Sequence, residues 1–148
     1  RVHLLNRGQR LALGDRELTA VAPATFDAPE TTGLLDSRTR VLFPADSFGA
    51  LLAEPAEDAS AVDPAALRDG MVTWATVDAP WLSFVDRDLF DRKLADIAAL
   101  EPSAILSSHL PPATDMTNTL LGHLAAAPSA PAFMGPDQAA MEQMMAGV

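Results

Sequence analysis

The chain has 148 residues, about one domain, and its content of 49% hydrophobic and 20% charged residues excludes a disordered segment. Twenty acidic against ten basic residues give a net charge of −10, which disfavours nucleic acid and anionic membranes as partners. No apolar run is long enough to cross a membrane, and the absence of cysteine excludes disulfides, thiolate metal ligands and cysteine nucleophiles. We therefore expect a cytoplasmic globular protein.

The first third of the sequence predicts β-structure. Its first residue is arginine, and residues 2–5 are strand-like, so we expect the chain to begin inside a larger protein. Two hairpins are predicted, the first with a turn at Gly14-Asp15. A loop with two prolines separates them. Asp36 lies at the turn of the second hairpin. We expect Asp36→Asn to have almost no effect, so that it serves as the control for Asp46→Asn. The predicted strands cover residues 11–13, 18–21, 33–36 and 40–43.

The middle and C-terminal parts predict helices around one more strand. Asp63 before Pro64 indicates a helix start, and this helix should end near residue 77. Asp86 indicates a second helix, whose apolar residues recur every three or four positions up to Leu100. A short buried strand and two further helices are predicted around residues 104–106, 120–124 and 141–145. The order of elements predicts an α/β fold with a mixed sheet.

Two polar residues directly follow apolar strands. Asp46 comes after the strand over 40–43, and His109 comes after the strand over 104–106. Because ligands gather beyond the carboxyl ends of strands in open α/β sheets, the two side chains could converge on one metal ion. Oxygen and nitrogen donors would suit zinc, iron or manganese. The alternative is a turn-forming aspartate and an ordinary surface histidine.

Several segments together resemble a known family. They occur in the order Leu-Ala-Leu-Gly-Asp-Arg, Pro-Ala-Thr-Phe-Asp-Ala-Pro-Glu-Thr, Gly-Leu-Leu-Asp, Val-Leu-Phe-Pro-Ala-Asp-Ser-Phe-Gly and Ser-Ser-His, over about residues 2–112. In this order they resemble the second half of the metallo-β-lactamase fold, in particular its flavodiiron-like branch. The strand that ends in Leu-Phe-x-x-Asp-x-Phe-Gly is the most specific segment.

The resemblance implies roles for three residues. Asp46 would be the bridging carboxylate of a dinuclear centre, and His109 the terminal imidazole ligand of the second metal. The flavodiiron branch has a ligand histidine in the loop where this chain has Phe26-Asp27, so Asp27 would supply an oxygen or merely cap the loop. The main ligand cluster of the family, His-x-(His or Glu)-x-Asp-His, does not occur here. The site for a divalent metal, iron or zinc, should thus be incomplete in this chain.

The expected protein is a fragment. Residues 1–127 would form the C-terminal half of an αββα sandwich, and residues 128–148 a helical tail. The complete protein would be a dinuclear-metal hydrolase or a flavodiiron-type oxidoreductase. Because the flavodoxin-like domain of the flavodiiron family does not occur here, we expect a metal-dependent hydrolase-like domain. The isolated chain should be inactive and should self-associate, because the missing N-terminal half would leave an apolar face uncovered. The alternative is a non-catalytic binding or scaffold module of the same fold.

Overall fold

The computed structural model describes residues 3–146, which form a six-stranded sheet and four α-helices. The strands are Arg10–Ala12 (β1), Glu17–Val21 (β2), Gly33–Asp36 (β3), Val41–Phe43 (β4), Ala104–Ile105 (β5) and Ala113–Thr114 (β6). The helices are Pro64–Asp78 (α1), Arg87–Ala98 (α2), Thr117–Ala126 (α3) and Gln138–Ala146 (α4). Single 3-10 turns cover Ala59–Ala61, Pro80–Phe84 and Ala127–Ser129.

The strands lie side by side in their chain order, and the sheet is mixed as predicted. All neighbours are antiparallel except β4 and β5, which pair in parallel, with Leu42 opposite Ile105. A parallel pair needs a crossover connection, and α1 and α2 provide it. The carboxyl ends of β4 and β5 consequently meet at one edge of the sheet.

The core lies between one face of the sheet and the helices. Leu35, Leu42 and Ile105 occupy one row across β3, β4 and β5 and are buried together with apolar side chains of α1, α2 and α3. Since side chains alternate along a strand, Leu34 and Phe43 project from the other face, and Phe43 is 42% exposed. The domain thus has one helix-covered face and one partly exposed, apolar face.

Both predicted helix starts are confirmed. The Asp63 carboxylate accepts hydrogen bonds from the backbone N–H groups of Ala65 and Ala66, and the Asp86 carboxylate accepts one from Leu89. These bonds satisfy N–H groups that have no partner inside their helices. Helix α1 ends at Asp78, because Pro80 disfavours a helical conformation in the residue before it.

One expectation about strands was wrong, and one strand was missed. Residues 3–5 are not in a strand; the hydrogen bonds to β2 begin at Gly8 and Gln9, which pair with Ala20. Val2 lies outside the described residues. Strand β6 was not predicted, since two residues after Pro111-Pro112 carry no local strand signal.

The end of the chain differs from the rest in burial. Ala127 is in the core, whereas α4 has no buried residue, and Met134, Met144 and Met145 are exposed. A boundary near residue 127 stays a prediction, and Gly147 and Val148 of the expected tail lie outside the described residues. No helix among residues 3–146 is long and apolar enough to span a membrane.

Candidate functional site

The residues after β4 and β5 meet at one edge of the sheet. His109 Nε2 lies 3.1 Å from Asp46 Oδ1, and both side chains are partly exposed. The predicted convergence of the two residues is therefore confirmed. Its cause is the parallel pairing of β4 and β5, which directs both following loops to the same side.

The backbone around Asp46 is held in an unusual conformation. Ala45 and Phe48 have φ angles of +56° and +68°, in the left-handed region that side chains with a Cβ rarely adopt. Phe48 and Ser47 are fully buried, so tertiary packing holds this conformation in place. Backbone strain of this kind is concentrated at functional sites.

Hydrogen bonds join the Asp46 loop to the His109 loop. The carbonyl of Ala45 accepts bonds from the Ser108 N–H (3.0 Å) and the Ser107 hydroxyl (3.2 Å). The carbonyl of His109 in turn accepts a bond from the Ala50 N–H (2.9 Å). The two loops are thus bonded on both sides of the Asp46–His109 contact, which favours a preformed site.

Trp74 of α1 forms a wall of the site. Its indole N–H donates a hydrogen bond to the Asp46 carbonyl (3.0 Å), and its ring lies 4.2 Å from the His109 ring, centroid to centroid. A Cβ at Gly49 would collide with the indole nitrogen, so any side chain there would displace the Trp74 ring. The sequence alone left open whether Trp74 packs in the core or lines a pocket above the sheet. Its contacts with both site residues could not be found by spacing, because they depend on how α1 packs on the loops.

The loop that contains Phe26 and Asp27 lies near this site, and the two residues make different contacts. Phe26 packs against Trp81 at a ring distance of 5.1 Å, and its carbonyl accepts a bond from the Trp81 indole (2.8 Å). Asp27 is exposed, and its Oδ1 accepts a bond from the Thr31 hydroxyl (3.4 Å). That bond fits the loop-capping alternative, and a metal-ligand role for Asp27 stays a prediction.

Asp78, the last residue of α1, was not singled out from the sequence. Its Oδ2 atom is buried and has no hydrogen-bond partner. Burial raises the pKa of Asp78, and the negative charges of Asp46 and Asp27 raise it further, while His109 acts in the opposite direction. Asp78 therefore shares the electrostatic environment of the Asp46–His109 pair.

Several solved structures share this architecture. Rubredoxin oxygen:oxidoreductase from Desulfovibrio gigas has a TM-score of 0.69 and 17% identity, over 83% of this chain and 31% of its own. The flavodiiron protein from Giardia intestinalis has a TM-score of 0.64 and 17% identity, over 85% and 30%. The apo chemotaxis sensor ODP from T. denticola has a TM-score of 0.64 and 18% identity, over 93% and 52%.

This chain has the metallo-β-lactamase-like fold of flavodiiron proteins. It spans about a third of the first two of these chains and about half of the ODP chain. No protein-family model and no curated protein match the sequence. The predicted fold class and the predicted resemblance are confirmed.

Whether the metal site is complete in this chain stays a prediction. Metal sites in proteins generally use at least three protein ligands, and a dinuclear centre needs more. Within residues 3–146, no three histidine, aspartate or glutamate side chains are grouped closely enough to hold an ion. Asp46 and His109 provide two donors of suitable chemistry in contact with each other.

Proposed function

We propose that this chain is part of a flavodiiron-type oxidoreductase and supplies two ligands, Asp46 and His109, to its metal centre. The contact between the two side chains at the carboxyl ends of β4 and β5 is the observation that carries the proposal. The structural neighbours favour oxidoreductase over hydrolase chemistry, because they include rubredoxin oxygen:oxidoreductase and flavodiiron proteins. We propose a cytoplasmic location for the complete protein.

Iron is the proposed metal. A related structure is described as a peroxy diiron species of the ODP sensor, and nitrogen and oxygen donors suit iron. Asp46 would be one of the residues that hold a dinuclear centre, and the negative charge of its carboxylate would offset the repulsion between the ions. The His109 imidazole would bind through a ring nitrogen, with Trp74 fixing the plane of the ring.

The proposed partner is the complementary half of the domain. The sheet face opposite the helices presents Leu34, Val41 and Phe43, and these side chains are only partly buried. Burying such a face would stabilise the sandwich by about 25 cal/mol for each Å² of apolar surface removed from water. The same N-terminal half would bring the other metal ligands to the sheet edge.

A second candidate function is a non-catalytic module of the same fold. Phe26 favours it, because this side chain stands where the flavodiiron branch has a ligand histidine and is packed against Trp81 instead. With phenylalanine at position 26, the loop has no imidazole that could bind a metal.

The coding sequence upstream of Arg1 separates the two functions. The oxidoreductase proposal predicts a His-x-(His or Glu)-x-Asp-His cluster in that segment and iron in the protein expressed from the complete reading frame. A reading frame without such a cluster, or a purified protein without metal, would leave the non-catalytic module as the better account.

A further inference from the structure

Two fully buried hydroxyl groups join the loop of Asp46 to the loop that follows β2. They belong to Thr25 and Ser47. The Ser47 Oγ atom accepts two hydrogen bonds from Thr25, one from its backbone N–H (3.2 Å) and one from its hydroxyl (3.1 Å). Ser47 directly follows Asp46, and Thr25 directly precedes Phe26. The two loops are therefore linked at positions next to residues of the candidate site.

This link closes a ring of hydrogen bonds. The Trp74 indole donates to the Asp46 carbonyl (3.0 Å), and the Trp81 indole donates to the Phe26 carbonyl (2.8 Å). Trp74 belongs to α1, and Trp81 belongs to the 3-10 turn that follows this helix. Each loop is thus bonded to the same helical segment and, through Ser47, to the other loop.

The burial of the two hydroxyls makes the link depend on the Ser47 oxygen. A buried N–H or O–H group that has no acceptor loses its bonds to water without compensation. Thr25 lies outside the strands, so its N–H has no partner in the sheet and relies on Ser47 Oγ. Without that oxygen, both donors of Thr25 would have to move to reach water or another acceptor. The adjoining Phe26 carbonyl would move with them.

We propose that Ser47 is a positioning residue of the candidate site, which acts through Thr25 on the loop that carries Phe26 and Asp27. The relevance of this role rests on the proposed function, because Asp46 and Asp27 are the candidate ligands on the two sides of the link. Ser47 fixes the position of one loop relative to the other. Metal ligands depend on such supporting hydrogen bonds for their orientation.

The indole N–H of Trp81 reports the position of the Phe26 carbonyl that it is bonded to. The metal-free 148-residue chain has two tryptophans, so its ¹H–¹⁵N spectrum should contain two indole signals, and Trp81→Phe assigns them. We expect Ser47→Ala to shift the Trp81 signal, although the hydrogen bonds of Ser47 go to Thr25 and not to the indole.

Three further variants separate positioning from a merely structural role. Ser103→Ala is the matched control, because the Ser103 hydroxyl also joins two segments, through the Thr39 carbonyl (2.7 Å) before β4, whereas Asp46 follows that strand. It should leave the Trp81 signal unchanged. Thr25→Val removes the hydroxyl and should shift the signal, and Thr25→Ser keeps the hydroxyl and should restore it. A change that only lowers the free energy of unfolding would not move a signal of the folded chain.

A second measurement uses the protein expressed from the complete reading frame. Ser47→Ala should lower its affinity for iron by about 10–100-fold, the loss typical of residues that support metal ligands. Ser103→Ala should bind iron like the wild type.

The inference is overturned if Ser47→Ala leaves the Trp81 signal in place, if Thr25→Ser shifts it as far as Thr25→Val does, or if the iron affinity of Ser47→Ala is unchanged. The spectra are recorded without metal. A complete protein without iron would therefore remove the proposed function and leave the spectral result standing.

Discussion

At the scale of single residues, Asp36 shows what a local pattern cannot reveal. From the sequence it is a turn residue whose change to asparagine should be nearly silent, whereas the structure gives this carboxylate contacts that a turn pattern does not reveal. The carboxylate is buried and accepts bonds from the Arg16 guanidinium (2.9 Å), the Thr39 hydroxyl (2.8 Å) and the Arg38 N–H (2.9 Å). The Arg38 N–H has the largest effect in lowering the pKa of Asp36.

Asp36→Asn should therefore destabilise the chain at neutral pH. A carboxyl whose pKa is lowered by folding adds stability that is complete above its ordinary pKa of 3.8 and is lost as the pH falls through the folded-state value. Urea unfolding at pH 7 should show a lower midpoint for the variant, and the gap to the wild type should close in acid. Equal midpoints at pH 7 would show that these hydrogen bonds add nothing to stability.

Gly49→Ala tests the wall that Trp74 forms. The new methyl group would collide with the indole nitrogen, so the indole must move away from the Asp46 carbonyl, at a cost of about 1–3 kcal/mol. Trp81→Phe leaves Trp74 as the remaining tryptophan. In that background, the fluorescence emission of Trp74 should shift, because the indole has moved. Gly122→Ala is the matched control, because its methyl group meets nothing within 4 Å, and it should leave the emission unchanged. An unchanged spectrum for Gly49→Ala would contradict the close approach.

At the scale of elements, the sequence correctly predicts the hairpins and helix starts, because local signals determine them. The hairpins follow from alternating apolar residues around turns, and the helix starts follow from Asp63 and Asp86. Strand β6 was missed because its pairing with β5 is decided by tertiary contacts and not by its own two residues. Of the candidate site, Asp46 and His109 were predicted because each follows a strand. Asp78 was not, because packing of α1 brings it there.

Asp63→Ala tests the start of α1, the helix that carries Trp74 and Asp78. Two backbone N–H groups would lose their acceptor, which should lower the free energy of unfolding by about 1 kcal/mol. Asp63→Ser should recover most of this loss, and Asp69→Ala, at an exposed position within the same helix, should stay within about 0.5 kcal/mol of the wild type. Urea unfolding measures all three. An equal loss in the serine variant would show that capping is not the cause.

At the scale of the whole molecule, the uncovered sheet face should govern association. We expect the isolated chain to self-associate through this face, because Leu34, Val41 and Phe43 lie outside the core between sheet and helices. Phe43→Glu should shift the chain towards monomer in analytical ultracentrifugation. Phe84→Glu, at a phenylalanine that is 91% exposed away from the sheet, should not. A wild-type chain that is monomeric throughout would contradict this use of the face.

The central claim is that Asp46 and His109 are ligands of a metal centre completed by residues outside this chain. The direct measurement is the metal content of the protein expressed from the complete reading frame, as wild type, Asp46→Asn and the control Asp91→Asn. Asparagine keeps one oxygen but removes the negative charge that would offset repulsion between two cations. We predict two iron ions in the wild type and the control, and loss of at least one in Asp46→Asn with an unchanged melting curve of the apoprotein. Full metal content in Asp46→Asn would contradict the claim.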